Sequence, residues 1–190
     1  MAANRKKQGS WSEVKGQLKG MPTEGLLGVI QDLYALNKTN RAFLETRFVP
    51  GLASVSIEEY RKRVQHPFYP ERGMGKLEYA DAKRAIREYE QATSDLAGTL
   101  DLMLSFVEAG NRFTQEFGDI DEQFYNTVEG MMFNVTKRFR MADGKELYPQ
   151  FAARLQKLYD KSRNIGWGYS DEMADMIVGL QEEFGGKTAG

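Results

Sequence analysis

One pattern runs through almost the whole chain: apolar residues recur every three or four positions, with charged residues between them. From Ile120 to Met141 it sets Phe124, Val128, Met131, Met132, Val135 and Phe139 on one stripe. A helix of 3.6 residues per turn gathers such positions on a single face, whereas a strand, with its period of two, would scatter them. No good run of alternating apolar and polar residues occurs to suggest a strand. The chain is therefore expected to be all-α, a compact multihelical array or bundle of about eight helices joined by short connections. A superhelix of helix pairs is the rival architecture, and the absence of a clear repeat of about 30–45 residues counts against it.

Caps and breakers divide this pattern. Ser12 is read as the cap of a short helix ending at Gly20, and Pro22-Thr23 opens a second with Leu26, Leu27, Ile30, Leu33 and Tyr34 on an inward face. A brief segment, Arg41 to Phe48, precedes Pro50-Gly51. Ser56 and Glu59 have the spacing of a capping box for a helix from Ile57 to Gln65. The segment "HPFYPERGMG" then interrupts with two prolines and two glycines. This organisation divides the chain into a basic flexible tail (1–9), an N-terminal helical subdomain (10–65), a Pro/Gly linker (66–76), a main helical domain (77–184) and a second flexible tail (185–190). In the main domain, Leu77, Ala82, Ile86 and Tyr89 face inward, and Ser94 starts the next helix, with Gly110 a point of interruption or kinking. Further on, "ADG" turns the chain at Gly144, and "NIGWGYSDE" turns it before a last helix carrying Met173, Ile177, Leu180 and Phe184.

Composition narrows the chemistry. With no cysteine, disulfides, thiolate nucleophiles and cysteine-based metal sites are excluded. The lone histidine, His66, rules out a multi-histidine centre, and its place at a helix end before Pro67 suits a structural role. No apolar run approaches the ~20 residues that span a bilayer, and the N-terminus lacks the apolar stretch of a secretory signal, so no membrane association and a cytoplasmic location are expected. Residues 1–50 carry 8 basic and 4 acidic side chains, and residues 101–150 carry 5 and 9. That gradient suits attraction within a compact fold, or steering of a partner or nucleic acid to the N-terminal end.

Four stretches bear candidate chemistry. "FTQEFGDIDEQFYN" offers Asp119, Asp121 and Glu122 as oxygen ligands for Mg²⁺ or Mn²⁺. It reads equally as a helix stop at Gly118 followed by a helix start, with Asp119 as cap and Glu122 as its reciprocal partner. "FYPERG" and "KLEYADAKRAIRE" set Arg72, Lys83, Arg84 and Arg87 near Phe68 and Tyr69, an aromatic and basic mixture fit for phosphate or single strands. Interleaved Glu71, Glu78, Asp81 and Glu88 weaken that field. "NIGWGYSDE" sets Trp167 between two glycines, so that with Tyr169 it either folds onto the core or closes a pocket.

"FVEAGNRFTQEFGDIDEQFYN", "NIGWGYSDE", "EGLLGVIQDLY" and "DAKRAIREYE" together resemble a family of small bacterial all-helical proteins catalogued only as a domain of unknown function, over roughly 18–173. The resemblance implies a bacterial helical protein and brings no reaction, cofactor or catalytic residue with it. With no catalytic constellation and many helix-face aromatics and methionines, the expected function is a non-catalytic protein–protein interaction module. Its partner would be another protein or a second copy, and no cofactor is implied. Nucleic-acid binding through the basic N-terminal end is the alternative, and a carboxylate metal-dependent enzyme the third.

Overall fold

The computed structural model of the protein describes residues 10–49 and 52–185, among which there are ten helices and no strand. The tails expected at 1–9 and 185–190 therefore lie outside the described residues, Gly185 excepted, as does the Pro50-Gly51 break.

The body is built on α6 (Leu96–Phe117), which packs against α4 (Leu52–Gln65), α5 (Ala80–Thr93), α7 (Glu122–Arg140) and α9 (Tyr148–Ser162). Leu100, Leu104, Phe106 and Val107 of α6 are wholly buried in a single core that also takes Val64 of α4, Ile86 and Tyr89 of α5 and Val128 and Met132 of α7. α10 (Tyr169–Phe184) lies against α7 and α9, and the four-residue α8 (Ala142–Lys145) packs on α7 where a simple turn was expected. The remaining helices, α1 (Trp11–Lys19), α2 (Thr23–Leu36) and α3 (Lys38–Phe48), stand to one side. α3 rests on α5 and α4, while α2 rests on α3.

Local chemistry explains most of the boundaries. α1 starts on a capping box between Ser10 and Glu13, not at Ser12. Asn37 separates α2 from α3, its side-chain oxygen accepting from the Asn40 amide at 2.8 Å. Ser56 and Glu59 lie inside α4, whose backbone is already helical at Leu52, so their spacing marks no helix start. Before α5 begins at Ala80, Leu77 adopts φ 58°, outside right-handed helical space, while its side chain still packs on the core.

Gly110 neither breaks nor kinks α6 into two elements; the helix runs through it. Its missing side chain is a matter of space, since a Cβ there would sit 2.7 Å from Val128 Cγ2. α7 approaches α6 closely at this point. The segment 66–79 between α4 and α5 is non-helical, as its prolines and glycines require, but Phe68 drops from it into the core. Its ring packs on Phe106 at 5.0 Å between centroids, and Leu77 N–H donates to Pro67 O at 3.0 Å to close the segment. The Pro/Gly stretch is thus a connection inside one packed body.

Candidate functional site

The Gly118 region resolves into helix ends. Gly118 takes φ 84° after Phe117 and donates its amide to Thr114 O, stopping α6. The cap of α7 is Asp121, not Asp119: Asp121 Oδ1 accepts from the Phe124 amide at 2.7 Å. Asp119 instead accepts from the Tyr125 hydroxyl at 3.2 Å, and that hydroxyl also bonds Thr114. Glu122 faces neither, lining two surface depressions on α7. Among the described residues no three carboxylate or histidine side chains are grouped to hold a metal ion. Of the three carboxylates offered as metal ligands, Asp121 is thus held by a backbone amide and Asp119 by a phenol, while Glu122 stands apart from both.

The aromatic candidates divide. Phe68 and Tyr169 are each only 1% exposed, so neither presents a binding surface. Tyr169 donates its hydroxyl to Asn111 inside the core and packs against Tyr125 at 5.4 Å. Tyr69 lies at the edge: Arg112 stacks over its ring at 3.7 Å, and its hydroxyl donates to Glu116 at 2.8 Å. Trp167 does not fold onto the core; it is 62% exposed and stacks flat on Tyr125 at 6.2 Å. It carries φ 62°, so the backbone turn falls on the tryptophan itself as well as on Gly168. Around it lie Glu122, Glu129, Asp171 and Glu172. Burial, and then the neighbouring Glu172, push the Glu129 carboxyl above its ordinary range.

The basic candidates divide as well. Arg84 pairs with Asp81 and Glu88, and Arg63 bridges the same two carboxylates at 2.9 and 2.7 Å. Arg61 is shared between Glu58 and Asp101. These pairs take up Arg61, Arg63 and Arg84, and so reduce the free cationic surface that phosphate contacts would use there. Arg72 lines a depression of about 610 Å³ with Lys62, Arg63 and His66. Lys83 and Arg87 open into a larger groove of about 770 Å³ between α5 and α7. Met141, 56% exposed, supplies apolar surface there over a floor of buried Ile86, Met103 and Met131, and the Arg138–Glu90 ion pair, 2.8 Å between nitrogen and oxygen, forms part of the wall. Lys83, Arg87 and Lys137 line it beside Glu90 and Glu122, so the groove is mixed in charge.

The feature that sequence reasoning missed is on α2 and α3. The stripe Leu26, Leu27, Ile30, Leu33 and Tyr34 was expected to face inward, yet no residue of α2 is buried. Leu27 is 57% exposed, Leu36 72% and Phe48 on α3 68%. Leu27 and Phe48, with Ile30, Tyr34, Leu44 and Val49, line an open trough of about 430 Å³ between the two helices, while Leu36 lies on the opposite side of α2 from Leu27. The hairpin itself is well made, for Tyr34 donates to Glu45 at 2.6 Å, Arg41 sits over the Tyr34 ring at 5.1 Å, and Asn40 Nδ2 donates to Leu33 O. A signal was available in the sequence. α2 has only Glu24 and Asp32 as charges and is apolar around most of its circumference, a pattern that calls for cover on more than one side.

A scan against protein-family models and searches of curated proteins and of solved structures find no match to this chain.

Proposed function

We propose that the protein is a non-catalytic helical interaction module that binds another polypeptide through the face of α2 and α3. The observation that carries this reading is the uncovered apolar surface from Leu27 to Val49 on a hairpin whose internal hydrogen bonds are already satisfied. Contiguous apolar patches of more than a few hundred Å² are uncommon on proteins that act alone, and they mark contact surfaces. The body built on α6 serves as the platform that holds the hairpin, through α3 on α5 and through Arg47, whose guanidinium donates to Ser94 Oγ at 3.2 Å. No described helix is long and apolar enough to cross a membrane; a cytoplasmic location is part of the proposal. The resemblance to bacterial helical proteins belongs to the same proposal and adds no reaction to it.

The test is photo-crosslinking in the source cells from a benzophenone amino acid placed at Leu27. A covalent adduct to a polypeptide is expected, lost when Ile30→Glu is added. An absence of any adduct from Leu27, and equally from Phe48, would overturn the reading.

A further inference from the structure

We infer that the occupant of the α2–α3 face is a second copy of this chain, the two hairpins packing across a two-fold axis into a four-helix bundle. This rests on the interaction-module reading above and names its partner.

Three observations support it. First, the hairpin is half of a bundle: two antiparallel helices packed on each other, with apolar residues left on the side away from the body. Four helices joined this way close a core that two cannot, and two-fold dimers are the commonest closed assembly. Second, the amount of surface suits a stable pair. Leu27, Ile30, Phe48 and Val49 line the trough and are each about half to two-thirds exposed. Together they offer roughly half of the ~800 Å² that each partner buries in a standard interface, close to the apolar share such interfaces carry.

Third, charge is distributed along the trough in a way that a two-fold complements. Arg41 lies over Tyr34 at the end where α2 turns into α3, with Lys38 one turn before it. Glu24 stands one turn before Leu27 at the opposite end and shares its helix face. α2 carries no cation at all, and α3 carries Lys38, Arg41 and Arg47 against a single carboxylate, Glu45, which is occupied by Tyr34. Antiparallel apposition of two identical hairpins brings each Glu24 opposite its mate's Arg41, so both ends of the trough are matched at once. A parallel apposition would set Glu24 against Glu24 and Arg41 against Arg41; Asp32, the other carboxylate of α2, lies about 140° around the helix from Leu27 and off the trough.

The experiment uses the purified full-length chain, with mass by light scattering and sedimentation over a concentration series. The wild type is expected at twice the chain mass. Ile30→Glu and Phe48→Glu, at exposed positions, are expected at the single-chain mass with unchanged helical circular dichroism. Glu24→Lys and Arg41→Glu are each expected to weaken the dimer about three- to tenfold, as exposed charge contacts repeated twice do, and the double exchange to recover most of that loss. A wild type that stays monomeric at every concentration overturns the inference. So does a dimer that survives both glutamate variants, or a double exchange no tighter than its singles. A monomeric protein that still crosslinks from Leu27 to a different polypeptide removes the second copy while leaving the interaction module standing, so the two failures are distinguishable.

Discussion

At the scale of single residues, two carboxylates in this fold respond to pH with opposite signs. Asp81 is held down to about 2 by the Arg63 guanidinium, with Arg84 adding to it. Its folded pKa lies below the unfolded value near 4, so the contact stabilises above that value and is lost as pH falls from about 4 toward 2. Asp81→Asn should therefore cost at most about 0.5 kcal/mol at pH 7, since the pair is half in solvent, and nothing near pH 2. Glu129 behaves the other way. Its folded carboxyl is raised by burial and by Glu172, so it holds its proton more tightly folded than unfolded, and stability falls as pH rises through its titration. Glu129→Gln should raise stability at pH 7 by a similar small amount, and the gain should vanish once the pH drops below about 4. Urea unfolding of both variants at pH 7 and in acid checks the two signs together, and a shared sign would contradict the assigned environments.

At the scale of elements, Gly110 shows where a sequence and its fold part company. Glycine in a helix interior reads as a weak point, and replacing it with alanine ordinarily gains about 1 kcal/mol of helix propensity. Here the added Cβ meets Val128 Cγ2 across the α6–α7 contact. Gly110→Ala is expected to destabilise by about 1–3 kcal/mol, and Val128→Ala to relieve part of that loss in the double variant. Equilibrium unfolding of the three variants decides it; a stabilised single variant would mean the helices do not approach at this point. The core stripes of α6, α7, α9 and α10 were legible because burial on one side imposes the helical period on the apolar residues themselves. Gly110 was not, because tight packing and a helix break leave the same letter. Phe68 was unreadable for a related reason. Flanking Pro67, Pro70 and Gly73 announce an irregular backbone but say nothing about which side chain that backbone drives inward. Among the candidate site residues, Lys83 and Arg87 do open into a groove, whereas Arg84 between them is taken up by Asp81 and Glu88, a pairing that depends on side-chain geometry not encoded in spacing alone.

Helix-to-helix polar clamps belong to this scale too. Arg154 of α9 grips α6 with its whole guanidinium, donating to Glu108 at 2.7 and 2.8 Å, to Asp101 at 2.5 Å and to Ser105 Oγ at 3.0 Å. This is a fork-on-carboxylate geometry at a partly buried site, stronger than a surface pair. Arg154→Met keeps the apolar stem and removes the donors. It should cost about 1–2 kcal/mol, because Glu108 is left without its partner while Asp101 keeps Arg61. A shift in the urea midpoint at constant slope is the expected reading.

On the scale of the whole molecule, the chain divides by how its apolar surface is spent. The body from α4 to α10 buries Leu100, Leu104, Phe106, Met132, Leu155 and Leu180 completely, whereas α1 and α2 bury nothing. Opening free energies in a protein follow this division, from near zero where few apolar contacts hold an element to the global value in the core. In the monomeric Ile30→Glu variant, α2 amides should exchange with solvent by local opening, orders of magnitude faster than those of α6, whose exchange requires global unfolding. Dimerisation across the α2–α3 face would cover Leu27, Leu33 and Phe48, and each added buried side chain raises the cost of that opening. Wild-type α2 amides at concentrations where the protein is dimeric should therefore slow by at least tenfold relative to the variant, and α6 amides far less. Dilution below the dimer dissociation constant should return α2 to the variant's rate. Equal α2 exchange in the dimer and the monomer would show that the second copy binds elsewhere, whatever its affinity.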